Sequence, residues 1–376
     1  MFRVKARGRG RPRTAPAAVA AALAVVLAGC GTAEQAHLAD GPDPTHTDFT
    51  PRVGLLLPDT HTARWETFDR PLIEAKIRQV CPGCAVDYAN ARSDVAAQRQ
   101  QLDSMITAGA DVLILSPVDS RALGPAVAKA AGAGVPVVSY DRLVDGPISG
   151  FVSFDARQTG RLQAEALLGA MGAEADGGRV VMVNGDPADP NAVALERGAR
   201  EVLNGRARIV RAYDTDRWRP EAARAHMSGA VAALGPEGID GVYAANDALA
   251  GGVVSALKAD FVAPLPPVTG QDADLDALRR IIGGEQYMTV YKPLGPMAAA
   301  AAEMAVALGR GDPVHAVAPR GGRAATVRGV PAVRFTPVPV TAGTVRETVV
   351  RGGMYTIAQI CTPKYASACA RAGLTV

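Results

Sequence analysis

The sequence predicts an α/β protein built as two doubly wound parallel-sheet lobes joined by a hinge. Short apolar runs alternate with stretches of helical periodicity from residue 52 onward. That alternation implies parallel sheets covered by helices on both faces. It comes in two series, divided near Gly146-Pro147, in a chain of 376 residues that is long enough for two cores.

The first series opens with the apolar run Val53 to Leu57, read as a strand. Phe68 to Val80 repeats apolar residues at helical spacing, and Val86 to Ala89 is a second strand. Asp94 to Ala108 is a helix, with Ser93 or Asp94 suited to cap it. Asp111 to Leu115 is the third strand and Ser120 to Ala131 the helix after it. Val135 to Ser139 is the fourth strand, ending in Tyr140-Asp141-Arg142. In the second series, Phe151 to Phe154, Arg179 to Val183, Arg208 to Tyr213 and Gly241 to Ala245 read as strands. They alternate with helices over 156–171, 191–203, 220–234 and 248–259. We expect residues 52–143 with 273–311 to form the N-terminal lobe. Residues 144–272 with 312–376 are expected to form the C-terminal lobe.

Residues 1–30 stand apart from this pattern. Arg3, Lys5, Arg7, Arg9, Arg11 and Arg13 precede an apolar run, Ala17 to Ala28, too short for a stable bilayer span. The run ends in Leu27-Ala28-Gly29-Cys30, which resembles a bacterial lipobox, so Cys30 is the expected lipidation site of an export signal. Acyl chains there would anchor the protein to the outer face of the cell membrane. Residues 31–51 read as a polar tether. Beyond the leading arginines the formal charge of +3 leaves no basic patch, and nothing argues for nucleic acid.

Cysteine usage agrees with export. Setting Cys30 aside leaves Cys81, Cys84, Cys361 and Cys369, an even number suited to an oxidising compartment. Four cysteines allow three connectivities; the sequence-local pairing is Cys81–Cys84 and Cys361–Cys369. Cys81-Pro82-Gly83-Cys84 could instead be a redox motif. Its place between a helix and a strand, with no aromatic before it, favours a structural disulfide. No histidine lies nearby to suggest metal.

In open α/β sheets ligands sit beyond the carboxyl ends of the strands. Those corners are polar here. They carry Asp59 and Arg64-Trp65, then Ser116 and Asp119, then Asp141-Arg142. The second series adds Asp186, Asp189 and Asn191, then Asp214, Asp216 and Trp218, then Asn246-Asp247, Gln271-Asp272 and Lys292. Carboxylates accept the protons of hydroxyl groups, while guanidinium, ammonium and amide groups donate back. A flat indole covers the C–H face of a sugar ring. The set suits a neutral polyol. An enzyme would need a poised base or nucleophile. His37, His46, His61, His226 and His315 follow no strand, and no G-x-S-x-G or phosphate-binding glycine loop is present. We therefore expect neither catalysis nor a cofactor.

Several stretches carry a resemblance. "RWETFDR", "SYDR", "SFDARQTGRLQAEAL", "GDPADPNA", "AANDALAGG" and "GQDADLDALRRIIGGEQYMTVYKP" make residues 52–309 similar to the D-xylose-binding protein family. These are type I periplasmic binding proteins, sugar receptors of ABC importers. Residues 310–376 resemble the family less closely. The resemblance implies Arg64, Trp65, Asp141, Asp189, Asn191, Trp218, Asn246, Asp272 and Lys292 as sugar ligands, with Trp218 stacking on the ring. It implies D-xylose or a related aldose as ligand, a membrane permease as partner, and a monomer. Pro190 departs from the family pattern between Asp189 and Asn191. Ser116-Pro117-Val118-Asp119 looks more like the ribose-binding relatives and leaves Asp119 open as a further ligand. Asp274 is expected to cap the helix after Asp272, with Asp276 in its first turn. Asp247 reads as a cap more than a ligand, and Arg142 as a partial neutraliser of Asp141. Three other functions fit parts of the sequence: a sensor signalling to a membrane kinase or chemoreceptor, a DNA-binding regulator with the same lobes, and a thiol oxidoreductase. The export signal stands where a regulator would need a helix-turn-helix.

Overall fold

The computed structural model describes residues 49–314 and 322–375. Cys30 and the tether up to residue 48 lie outside the described residues. Strand β1 (Val53–Leu57) is buried along its whole length, as a central strand covered on both faces must be. It pairs in parallel with β2 (Val86–Asn90) and β3 (Val112–Leu115). Next come β4 (Val137–Tyr140) and β5 (Gly150–Phe154), also parallel. The hairpin of β10 (Gly322–Val327) and β11 (Val330–Phe335) completes a seven-stranded sheet in the order β10-β11-β5-β4-β3-β1-β2. Side chains alternate across it. Leu55, Leu57 and Ile114 pack toward α1 (Arg70–Val80) and α9 (Leu294–Arg310). Leu56, Leu113 and Leu115 pack toward α2 (Val95–Thr107) and α3 (Gly124–Gly132). Asp94 caps α2 as expected, accepting from Ala97 N at 2.8 Å.

The second lobe is built on β6 (Arg179–Val183), flanked in parallel by β7 (Arg208–Tyr213) and β8 (Gly241–Ala244). A parallel bridge joins Val242 to Val268. Tyr287 N donates to Val268 O and Asp272 N to Val290 O, both at 2.9 Å, which stitches β9 (Met288–Tyr291) to the same layer. β9 in turn pairs antiparallel with β12 (Val338–Thr341). Helices α4 (Ala156–Met171), α5 (Pro190–Leu203), α6 (Pro220–Leu234) and α7 (Asp247–Ala259) enclose one core with β6–β8. α8 (Leu275–Ile282), β9, β12 and the C-terminal helices α10 (Ile357–Ile360) and α11 (Ala366–Arg371) enclose a smaller one. The pairs Cys81–Cys84 and Cys361–Cys369 are disulfide-bonded.

The strand pairings redraw the expected lobe boundaries. β5 was expected to open the second lobe and instead pairs with β4 in the first sheet. Hairpin β10–β11, expected in the second lobe, pairs with β5. α8 and β9, expected in the first lobe, pack in the second. The chain therefore crosses between the lobes three times: at Asp155, at Lys292-Pro293 and at Thr336-Pro337.

Candidate functional site

All nine residues expected as ligands line one cavity between the lobes, beyond the carboxyl ends of the strands. The first lobe supplies Arg64 and Trp65 after β1 and Asp141 after β4. The second supplies Asp189 and Asn191 at the start of α5, Trp218 after β7, Asn246 after β8, Asp272, and Lys292 after β9. Eight of the nine are buried, Asn191 being half-buried. Asp141, Trp218 and Asp272 hold positive φ angles of 62°, 55° and 98°. Non-glycine residues adopt that region rarely, and such strain gathers where side chains must be aimed.

The charges form a connected network. Arg64 grips Asp69 bidentately, Nε and Nη2 donating at 2.8 Å each, and turns Nη1 to Asp141 Oδ2 at 2.7 Å. Its Nη1 also lies 3.9 Å from Asp272 Oδ1, which Lys292 Nζ approaches to 2.7 Å. Burial alone would lower the Arg64 guanidinium, but Asp69, Asp141 and Asp272 push it well above its ordinary value. Burial likewise opposes ionisation of Asp141, yet Arg64, Lys292 and Arg142 hold it below the usual carboxylate range. Asp141 is thus neutralised chiefly by Arg64, with Arg142 contributing in part as expected.

Arg142 reaches the opposite lobe. Its Nε lies 2.7 Å from Asp189 Oδ2, and its Nη2 donates to Asp59 Oδ2 at 3.3 Å. Asp189 also caps α5, Oδ1 accepting from Asn191 N at 2.8 Å. Its burial pushes it up to about 6 despite Arg142. Asn191 Nδ2 crosses the cleft to donate to Asp141 Oδ1 at 2.7 Å. Pro190 occupies the first helical position of α5, where no N–H is needed, so it does not disturb the loop.

Other expectations are corrected. Asp119 is not in the cavity lining; its Oδ1 accepts from Arg121 N and Ala122 N and closes a turn. Asn246, not Asp247, caps α7, its Oδ1 accepting from Leu249 N at 3.0 Å and leaving the amide nitrogen for another partner. Asp247 lies behind the cavity, accepting from Gln286 Nε2, Thr289 Oγ1 and Asp274 N. Asp274 holds the cap position of α8, but its side chain makes no capping bond. Asp276 pairs with Arg279 at 3.0 Å in the first turn.

The lining also includes Phe154, Ser153 and Thr62, which the strand-end inventory did not single out. Asp69 was missed as well. It sits inside a predicted helix, but its pairing with Arg64 and with the Tyr140 hydroxyl is a tertiary fact. The Nε1 groups of Trp65 and Trp218 are buried without hydrogen bonds, and both indoles line the cavity. Together these groups can accept from and donate to a small polar molecule while indole surface covers its apolar faces. Among the described residues no cluster of three His, Cys, Asp or Glu side chains could hold a metal ion.

Two α/β lobes crossed three times by the chain, with a polar cavity between them, define a class of two-lobed binding proteins. The chain belongs to the periplasmic binding protein domain family, whose model matches residues 53–313. It is similar to the D-xylose-binding periplasmic protein of Haemophilus influenzae, 34% identical over 81% of this chain and 90% of that one. The D-xylose-binding periplasmic protein of Escherichia coli is also 34% identical, over 81% of this chain and 91% of its own. Among solved structures, an ABC transporter solute binding protein from Clostridium phytofermentans with bound β-D-glucose is 27% identical. It superposes with a TM-score of 0.73, covering 82% of this chain and 99% of that one.

Proposed function

We propose that this protein captures a monosaccharide, D-xylose or a related aldose, outside the cytoplasm and presents it to the membrane permease of an ABC importer. The observation that carries this reading is the convergence of nine polar and indole side chains from both lobes on one cavity. Asp272 and Asp141 accept from ring hydroxyls, Arg64, Lys292 and Asn246 donate, and Trp65 and Trp218 cover the ring faces. Both lobes contribute, so the sugar meets its full set of partners only when they are closed, and binding shifts the population toward that form. The relatives named above bear names or bound sugars of this chemistry and support the reading.

Calorimetry and thermal melts of residues 31–376 against pentoses and hexoses test it. A tight aldose raises the melting temperature by mass action; no response to any of them overturns the proposal. We also propose that Cys30 is lipidated and anchors the protein, acting as a monomer, to the outer face of the membrane. The sequence Leu27-Ala28-Gly29-Cys30 supports this. Cys30→Ser is expected to release the protein from the membrane fraction, and unchanged retention would refute the anchor.

A further inference from the structure

Trp218 is seated on a glycine. A side-chain carbon placed on Gly185 would stand 2.2 Å from Trp218 Cη2, 2.3 Å from Cζ2 and 2.6 Å from Cζ3, where ordinary contact begins near 3.4 Å. Gly185 has no positive φ, so glycine is required here for space and not for a turn. The loop carrying Trp218 is fastened to the loop of Gly185. Arg217 N donates to Asp186 Oδ2 at 2.8 Å, Thr215 N to Gly185 O at 3.2 Å, and Asn184 N to Tyr213 O at 2.8 Å. These bonds join the backbones of the two loops, so a methyl at residue 185 would have to displace the ring itself. The ring lines the cavity and its Nε1 makes no hydrogen bond, so no polar contact there would resist a shift toward the cavity.

We propose that Gly185 is a positioning residue that sets how far Trp218 projects into the cavity, and through it which ring substituents the cavity admits. This rests on the monosaccharide reading above. A hexopyranose carries one hydroxymethyl group more than a pentopyranose, and a group of that size in a tight pocket discriminates by about tenfold or more. In calorimetry with the full chain, Gly185→Ala is expected to weaken D-glucose about tenfold or more. D-xylose should weaken by a clearly smaller factor, so that the xylose-to-glucose preference rises. In a Trp218→Phe background the smaller ring leaves room for the methyl, and Gly185→Ala should then change the preference little, a non-additivity that a general loss of stability would not produce. Equal losses for both sugars, or the same change in both backgrounds, would overturn the proposal.

A sugar-free measurement separates this claim from the reading it rests on. With Trp65→Phe, Trp218 is the sole tryptophan. Gly185→Ala should then make its emission more open to acrylamide quenching. If the unsubstituted protein binds no pentose or hexose, the monosaccharide reading fails. Unchanged quenching overturns the role of Gly185 whatever the sugar result.

Discussion

Asp272 is held at φ 98° between Lys292 and Arg64, with Oδ1 facing both cations. Replacing it by Asn removes a charged acceptor from the ligand and leaves Lys292 without its buried partner. A charged hydrogen bond contributes about 1.5–3 kcal/mol. Asp272→Asn is therefore expected to weaken aldose binding roughly a hundredfold, read by calorimetry. Behind it lie Asp247 and Asp274. Burial pushes Asp247 up to about 7. Burial together with Asp247 and Asp272 pushes Asp274 well above the ordinary carboxylate range. Both shifts are upward, so above pH ~4 the folded state keeps protons that the unfolded chain has released. Folding stability should fall as pH rises from about 4 through 7. Urea titrations at pH 5 and pH 8 test this: Asp274→Asn should shrink the difference between them. Asp141 and Asp272 were legible in the sequence because strand ends are where such a cleft gathers polar side chains, although Asp119 and Asp247 show that a strand-end carboxylate can equally serve a turn or a buried network. The jobs of Asp189 and Asp247 were not, because their partners Arg142, Gln286 and Thr289 come from distant parts of the chain.

At the scale of elements, the helix starts of α2, α4 and α6 were readable from caps and prolines. Helix α3 begins four residues later than its periodicity implies, because Asp119 spends those residues on a turn. Strand membership was less legible. Gly146-Pro147 before β5 looks like a lobe boundary, but pairing depends on what lies alongside, and Val138 and Tyr140 lie alongside Gly150 and Val152. Close packing of α4 on α5 rests on two glycines, a feature invisible before the helices are docked. A Cβ on Gly160 would meet Leu195 O at 2.0 Å, and one on Gly198 would meet Arg157 O at 2.0 Å. Backbone cannot yield as a side chain can, so Gly198→Ala should cost about 1–3 kcal/mol, visible as a lowered urea midpoint. An unchanged midpoint would mean the helices can separate freely. Because α5 carries Asp189 and Asn191, aldose affinity should fall with it.

For the whole molecule, the lobes touch through direct bonds as well as through the cavity. Arg142 meets Asp189, Asn191 meets Asp141, and Ser120 N donates to Ala188 O at 3.3 Å. A buried carboxylate stripped of its cation is costly, by about 3–5 kcal/mol, but only while the cleft is shut. Arg142→Ala should therefore favour the open form, giving a larger radius of gyration in small-angle scattering of sugar-free protein and weaker aldose binding. An unchanged radius would show that these bonds do not hold the lobes together. Lys292 belongs to this scale too, because the residue that steadies Asp272 stands on one of the three crossings, next to Pro293. The contact therefore sits beside a crossing segment, where, if the lobes hinge there, the lever arm is shortest. On the proposed reading, a torsion that swings the two halves apart would twist this ammonium relative to a bound sugar, gearing grip and posture together.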